Sequence, residues 1–411
     1  MQRLNIPWKA WYGDELLELE FPESWDVRAC EMMDAEGIGR DEIQRAFSHP
    51  IDTPTIIELA KGKTTVAIAV EDITRPSPLA DILHEIIQQL REGGIQDNNV
   101  KIIISTGGHR PLFRDDLIKK LGQEIVEQFD IYNHNPFENL VDTGITLGNT
   151  PVRINRFFME AELKIVVGTI VPHAFAGFSG GGKIVLPGMA GIEILERSHK
   201  FVMMGLRGGM GVVEGNKFRE EVEGVARRIG VSVAVNLVVN SRRELAGVFV
   251  GDIVTAHRAG VRLARDVYAT DAPSGVDVAI LNAYPKDMEM FQIDNAFGMY
   301  RSAGQGLVKD DGVVILTSAC TLGRGYHSLF EPGMRLYKPP IKRKFLGNKE
   351  LWVYSPNINK ADFATLFWEG YLLFNRWDDV IERLEAKYKK SCQVAIFPYS
   401  SLQIAKDGNK G

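Results

Sequence analysis

TTVAIAVEDITRPSPLADILHEIIQQLREGG, residues 64–94, contains one strand, one loop and one helix in succession. The run from Thr64 to Asp72 is apolar on both faces, as in a strand covered by helices on each side. Pro76 and Pro78 prevent either a strand or a helix from running through the loop. Beyond Pro78, Leu79, Ile82, Ile86 and Leu90 fall on one helical face, and Gly93 and Gly94 end the pattern. Strand-length apolar runs recur at KIIISTGG (101–108), ELKIVVGT (162–169) and VSVAVNLVVN (231–240). Strands alternating with helices define an α/β fold with mostly parallel sheets flanked by helices.

A second set follows the helical stretch 253–268 and the turn DAPSG at 271–275. VDVAILNAYP, the helix-like NAFGMYRSAGQGLV and DGVVILTSAC repeat the order strand, helix, strand, and LWVYSP and QVAIFPY add later strands. A boundary near residue 270 predicts two α/β domains, 1–270 and 271–411, with an active site in the cleft between them.

Composition removes several function classes. With 411 residues, of which 45% are hydrophobic and 25% charged, the chain can bury real cores, which excludes disordered and collagen-like material. Forty-eight Lys and Arg against 53 Asp and Glu give a net charge of -5 without a long basic block, so nucleic acid is not an expected partner. Cys30, Cys320 and Cys392 are too few and too scattered for a disulfide framework or a thiolate metal cluster, and they suit a reducing cytoplasm. The amino-terminal stretch is too charged for a secretory leader, and no uncharged run approaches the roughly 20 residues that span a bilayer. A soluble cytoplasmic protein is expected. No interface stripe indicates an oligomeric state.

Candidate chemistry lies at the carboxyl ends of the strands, where doubly wound sheets bind ligands. EDITRPSP, STGGHRP and GTIVPHAFAGFSGGGKIVLPG supply Asp72, Arg75, His109, His173 and Lys183. Arg75 can grip a carboxylate with two parallel hydrogen bonds, and Asp72 can fix a hydroxyl or orient a histidine; a loop salt bridge is the plainer alternative. His109 and His173 can serve as a general acid and base, or as donors of structural hydrogen bonds.

Gly177 to Lys183, GFSGGGK, satisfies the first seven positions of the triphosphate-binding loop. Ile184 replaces the hydroxyl expected on magnesium, and Pro187 and Gly188 interrupt the helix that should follow, so ATP hydrolysis is set aside. Gly177, Ser179, Gly180, Gly181 and Gly182 bring main chain close to the Lys183 amine, which can bind an anion or form a covalent bond. His199, in the helical pattern IEILERSHK, is either a metal ligand or a surface histidine.

Together DITRP (72–76), GGHRP (107–111), HAFAGFSGGGKIVLPG (173–188) and His199, sixteen residues beyond Lys183, resemble the lactate racemase family, whose members more often read GTHRP at the second motif. The resemblance implies racemisation or epimerisation at the 2-position of an α-hydroxy acid. It implies a nickel-pincer nucleotide, a pyridinium-3,5-bisthiocarboxylic acid mononucleotide carrying Ni, attached through Lys183 and completed by His199. The pyridinium ring would take hydride from the substrate while His109 or His173, the paired acid and base, takes the hydroxyl proton, and return of hydride to the other face would invert the carbon. Asp72 and Arg75 would hold the substrate or the histidines beside it. The first domain would hold the cofactor and the catalytic groups, and the second would close over the substrate. Enzymes that build the cofactor are expected as transient partners.

The resemblance extends to AYPKDMEMFQIDNAF, where Gln292 matches a substrate-pocket glutamine. Phe291 stands where lactate racemases have tyrosine, and Asn295 where they have lysine, which points to a 2-hydroxy acid other than lactate unless Lys286 or Arg324 compensates. Alternatives are nickel-pincer-dependent oxidation or isomerisation of a hydroxy acid, and a non-catalytic carrier of the nickel nucleotide.

Overall fold

The computed structural model describes residues 1–203, 208–389 and 391–406. The chain divides into two compact units, one formed by 35–266 with 327–336, the other by 1–34, 267–326 and 337 onward. The boundary anticipated near residue 270 lies beside the passage at 266/267, but two segments fall outside the anticipated division, and burial explains both. Asp26–Ala29 pairs in parallel with Gln393–Phe397, and Ile6, Trp8, Leu19 and Phe21 of the amino-terminal hairpin (Gln2–Trp8, Glu15–Phe21) join the core of Ile280, Ile315 and Trp352. Leu329 and Leu336 enter the core that contains Ile184, Val185 and Phe218.

In the unit built on 35–266, six strands form one sheet: β1 (Val66–Glu71), β2 (Val100–Ser105), β3 (Asp130–Asn133), β4 (Leu163–Thr169), β5 (Val233–Val239) and β6 (Leu245–Gly251). Their spatial order is β3-β2-β1-β4-β5-β6, with every pair parallel except β5 and β6. All residues of β1 and β5 are buried, as expected of strands covered on both faces. Helix α1 (Ala80–Glu92) buries Ile82, Ile86 and Leu90 of the predicted stripe, and its C-cap is Gly93. Strand order reverses between β1 and β4, so the loops leaving their carboxyl ends run in opposite directions and open a crevice.

The other unit carries a six-stranded, wholly parallel sheet in the order Leu372–Phe374, Glu350–Tyr354, Val308–Thr317, Val276–Asn282, Gln393–Phe397, Asp26–Ala29. The helix read into residues 295–308 is shorter, Phe297–Ala303, because Gly304 adopts φ +85° and breaks it. Among the described residues, no helix is long and apolar enough to cross a membrane.

Candidate active site

At the reversal point lies a pocket of about 120 Å³, lined entirely by residues of the first unit. Asp72 and Arg75 from the loop after β1, His109 from the loop after β2, and His173 and Lys183 from the loop after β4 all face it, together with His199 and His327. Sequence proximity separates these groups by up to 255 positions, from Asp72 to His327; the parallel sheet brings them together by ending its central strands at one edge.

Asp72 is buried, and its carboxylate meets His109 Nδ1 at 2.6 Å. Its other oxygen accepts from the Thr74 amide at 3.0 Å and the Thr74 hydroxyl at 2.5 Å, and Arg75 donates to that same hydroxyl at 2.9 Å. Burial alone would raise the Asp72 pKa, but His109, then Arg75 and Thr74, outweigh it and hold the carboxyl well below the usual carboxylate range. A carboxylate at Nδ1 fixes the ring's hydrogen there and makes Nε2 its basic position. Of the two roles considered for Asp72, the contact present here is the one to the histidine.

The Asp72–Pro78 loop has an anchor that the sequence did not disclose. Lys120, fully buried at the end of α2 (Arg114–Leu121), donates to Glu71 at 2.9 Å, to the Arg75 carbonyl at 3.1 Å and to the Ser77 carbonyl at 2.8 Å. Glu71 also accepts from Ser77 at 2.7 Å, from the Thr169 hydroxyl at 2.6 Å and from the Thr169 amide at 2.6 Å, which ties β1 to β4. Removing one member of a buried pair strands the other's charge, so Lys120→Met is expected to destabilise the fold by about 3–5 kcal/mol in urea unfolding. A loss below about 1 kcal/mol would mean that the pair merely fills space.

The glycine loop is shaped from behind. Pro172–His173 pairs with Gly177–Phe178 as a miniature hairpin. Gly177 has φ +73°, and a Cβ there would lie 2.1 Å from the Val212 carbonyl oxygen, so both backbone angle and space require glycine. Arg219 of α4 (Lys217–Arg228; the intervening helix α3 is Ile192–Met203) is completely buried and donates to the carbonyls of Ala176, Phe178 and Gly180. His257 donates to the Ser179 carbonyl at 2.8 Å, and the Gly181 amide donates to Asn236 at 2.8 Å. The Ser179 amide is taken by the Val171 carbonyl.

Two of the amides that sequence left open to a ligand are thus used by the fold. Ser179, Gly180 and Lys183 line the pocket; Gly177, Gly181 and Gly182 pack behind it, Gly182 against Val222. Gly181–Ile184 is only a short 3-10 turn, and α3 begins at Ile192, so the loop does not open onto the helix that a triphosphate site needs.

His173 Nε2 stands 2.8 Å from the Lys183 amine. Its Nδ1 accepts from the amides of Phe175 and Ala176 at 3.4 and 3.3 Å, which puts the hydrogen of the neutral ring on Nε2, facing the amine. An uncharged lysine amine is the form able to attack a carbonyl or acyl carbon. His199 donates from Nδ1 to the Leu195 carbonyl at 2.8 Å, leaving its lone pair on Nε2. Burial lowers its pKa to about 4, and a neutral imidazole is the state in which histidine binds metal. The described residues contain no group of three or more His, Cys, Asp or Glu arranged to hold a metal.

His327 had no evident role in the sequence. Its ring lies 5.5 Å from that of His109 and 5.3 Å from that of His199, centre to centre, and burial pushes its pKa well below the ordinary value. No local pattern could have revealed it, because the segment that carries it is bracketed on both sides by residues of the other unit.

Gln292 and Asn295 do not line this pocket. They share a short 3-10 turn, Met290–Ala296, in the second unit, where the Asn295 amide donates to the Gln292 carbonyl at 2.7 Å. The buried Lys286 amine reaches Asn295 Oδ1 at 3.3 Å, so a cation stands beside the position where the resemblance led us to expect lysine. Arg324 stacks on Phe291 at 4.9 Å and donates to Thr365.

Fold and pocket together define a two-unit α/β protein with a histidine-rich, lysine-bearing site at a strand-order reversal. The profile of the lactate racemase N-terminal domain matches residues 12–211. The chain is 31% identical over 290 residues to the lactate racemase of Thermoanaerobacterium thermosaccharolyticum, covering 69% of this chain and 67% of that one. It is 29% identical over 299 residues to the lactate racemase of Lactiplantibacillus plantarum, covering 71% and 69%. The chain belongs to the lactate racemase family. Among solved structures, the lactate racemase apoprotein from T. thermosaccharolyticum superposes with a TM-score of 0.79 at 22% identity, over 99% of this chain and all of that one. A Thermotoga maritima protein superposes with a TM-score of 0.69 at 17% identity, over 91% and 100%. Both structures support the fold.

Proposed function

We propose that this protein inverts the 2-position of an α-hydroxy acid, with a substrate other than lactate. The observation that carries the proposal is the gathering of His109, His173, Arg75 and the Lys183 amine around one pocket. The pocket fits the nickel-pincer nucleotide implied by family resemblance: Lys183 for the tether, the Nε2 lone pair of His199 for nickel, and no rival metal cluster among the described residues. When bound, that group supplies an electron sink that can take and return the hydrogen of C2 as hydride.

The chain's own residues account for the rest. Arg75 holds the substrate carboxylate. Asp72 keeps His109 oriented with Nε2 available for the hydroxyl proton, and His173 provides the second acid or base. Loss of the hydroxyl proton to a histidine, together with loss of the C2 hydrogen and its electron pair, leaves a neutral carbonyl, whereas deprotonating C2 beside a carboxylate would build charge upon charge.

The proposal is tested with protein coexpressed with the cofactor-building enzymes and supplied with 2-deuterated hydroxy acids. Inverted product that retains most of its deuterium is the expected result. Label passed to an external acceptor would indicate net oxidation, and absence of turnover by protein carrying the adduct would indicate a carrier.

A further inference from the structure

Gly108 is a glycine for reasons of space. Its φ lies outside the left-handed region, unlike that of Gly107 at +57°, so the backbone does not demand glycine there. A Cβ at 108 would lie 2.6 Å from His327 Cε1, 3.0 Å from His327 Nε2 and 2.9 Å from Ser328 Oγ. The motif GGHRP, which stands where the family more often has GTHRP, thus leaves room for an imidazole that a threonine would displace.

That imidazole is held in place and only half satisfied. His109 and His327 form a backbone bridge, and the Ser328 amide donates to the Gly108 carbonyl at 2.8 Å. The Leu329 amide donates to His327 Nδ1 at 3.2 Å, which places the ring hydrogen on Nε2. His327 is 7% exposed and lines the pocket, yet its Nε2 has no hydrogen-bond partner among the described residues. A donor on the pocket wall can give specificity for a polar group, because a ligand lacking that group leaves it unpaired.

We propose that His327 Nε2 donates to a hydroxyl on the substrate's side chain, so that the preferred substrates are 2-hydroxy acids with a further hydroxyl beyond C2. The proposal rests on the hydroxy-acid reading above and names the substrate class for it. The rings that pack on His327 are those of His109, His199 and Phe330, while the pocket's cations, Arg75 and Lys183, come from other loops, and the malate arm of the test below separates a side-chain hydroxyl from a second carboxylate.

The test compares cofactor-loaded enzyme on two substrates of nearly equal shape, 2,3-dihydroxypropanoate and 2-hydroxybutanoate, with malate as a dicarboxylate. Loading is verified by intact mass. The expected kcat/KM ratio of the first to the second is at least about 30, the scale of one buried hydrogen bond to a neutral group with the penalty for leaving it unmade. The ratio should fall to near one in His327→Phe and recover in large part in His327→Gln, which retains a donor. Gly108→Ala should lower it by moving the ring. A wild-type ratio near one, a ratio preserved in His327→Phe, or malate as the best substrate would each overturn the proposal while leaving racemisation intact. Loaded enzyme that inverts none of the three would instead count against the hydroxy-acid reading itself.

Discussion

Alanine at His109 or at His173 is expected to lower turnover by about 10²- to 10⁴-fold, the usual contribution of one positioned acid or base. Intact mass should show the cofactor adduct retained in both variants, which separates lost chemistry from lost cofactor. Rates measured from either substrate configuration should fall together, because a catalyst cannot shift the equilibrium between them. Folded stability should change little, since the His109 side chain is 21% exposed and His173 is likewise only partly buried. Full turnover in either variant would remove that histidine from the mechanism. His109→Ala carries extra information: it leaves Asp72 buried without its imidazole hydrogen-bond partner, so any stability loss it does cause reports on that carboxylate.

Lys183→Ala is expected to abolish the covalent adduct and, with it, all activity above background, under expression conditions that load the parent with about one adduct per chain. Lys183→Arg should do the same, because a guanidinium stays protonated near neutral pH and offers no nucleophilic lone pair. Intact mass, together with peptide mapping over the glycine loop, checks both. An adduct that survives in either variant would place the tether elsewhere. The geometry makes Lys183 a specific choice: it approaches His173 within 2.8 Å in a turn braced by Arg219, His257 and Asn236.

Much of this was legible in the sequence because its signals are local. Val66–Glu71 and α1 could be read from one window, since a strand buried on both faces and a helix with one apolar stripe leave different periodicities. The residues at the ends of the central strands could be placed because parallel strands direct their carboxyl ends to one edge. Other features depend on distant partners. The strand Asp26–Ala29 is an edge strand whose partner is Gln393–Phe397, and nothing within the stretch DVRA announces that pairing.

The same limit hid the site's supporting groups. Arg219 resembles any basic residue of a charged helix until its guanidinium is found beneath three carbonyls of the glycine loop. Lys120 lies in KKLG, which reads as solvated, yet it is fully buried against Glu71. His327 needed a contact across more than two hundred residues before it could be considered.

Because residues 1–34 fold with the distal half, and residues 327–336 return to the proximal one, neither half is a self-contained cassette. Cutting the gene near codon 270 would leave the amino-terminal product with an unpaired edge strand and without His327, the fourth pocket imidazole. Recombination could therefore exchange this protein's halves with those of distant relatives only at a high cost in foldability, and its lineage is expected to have been inherited whole.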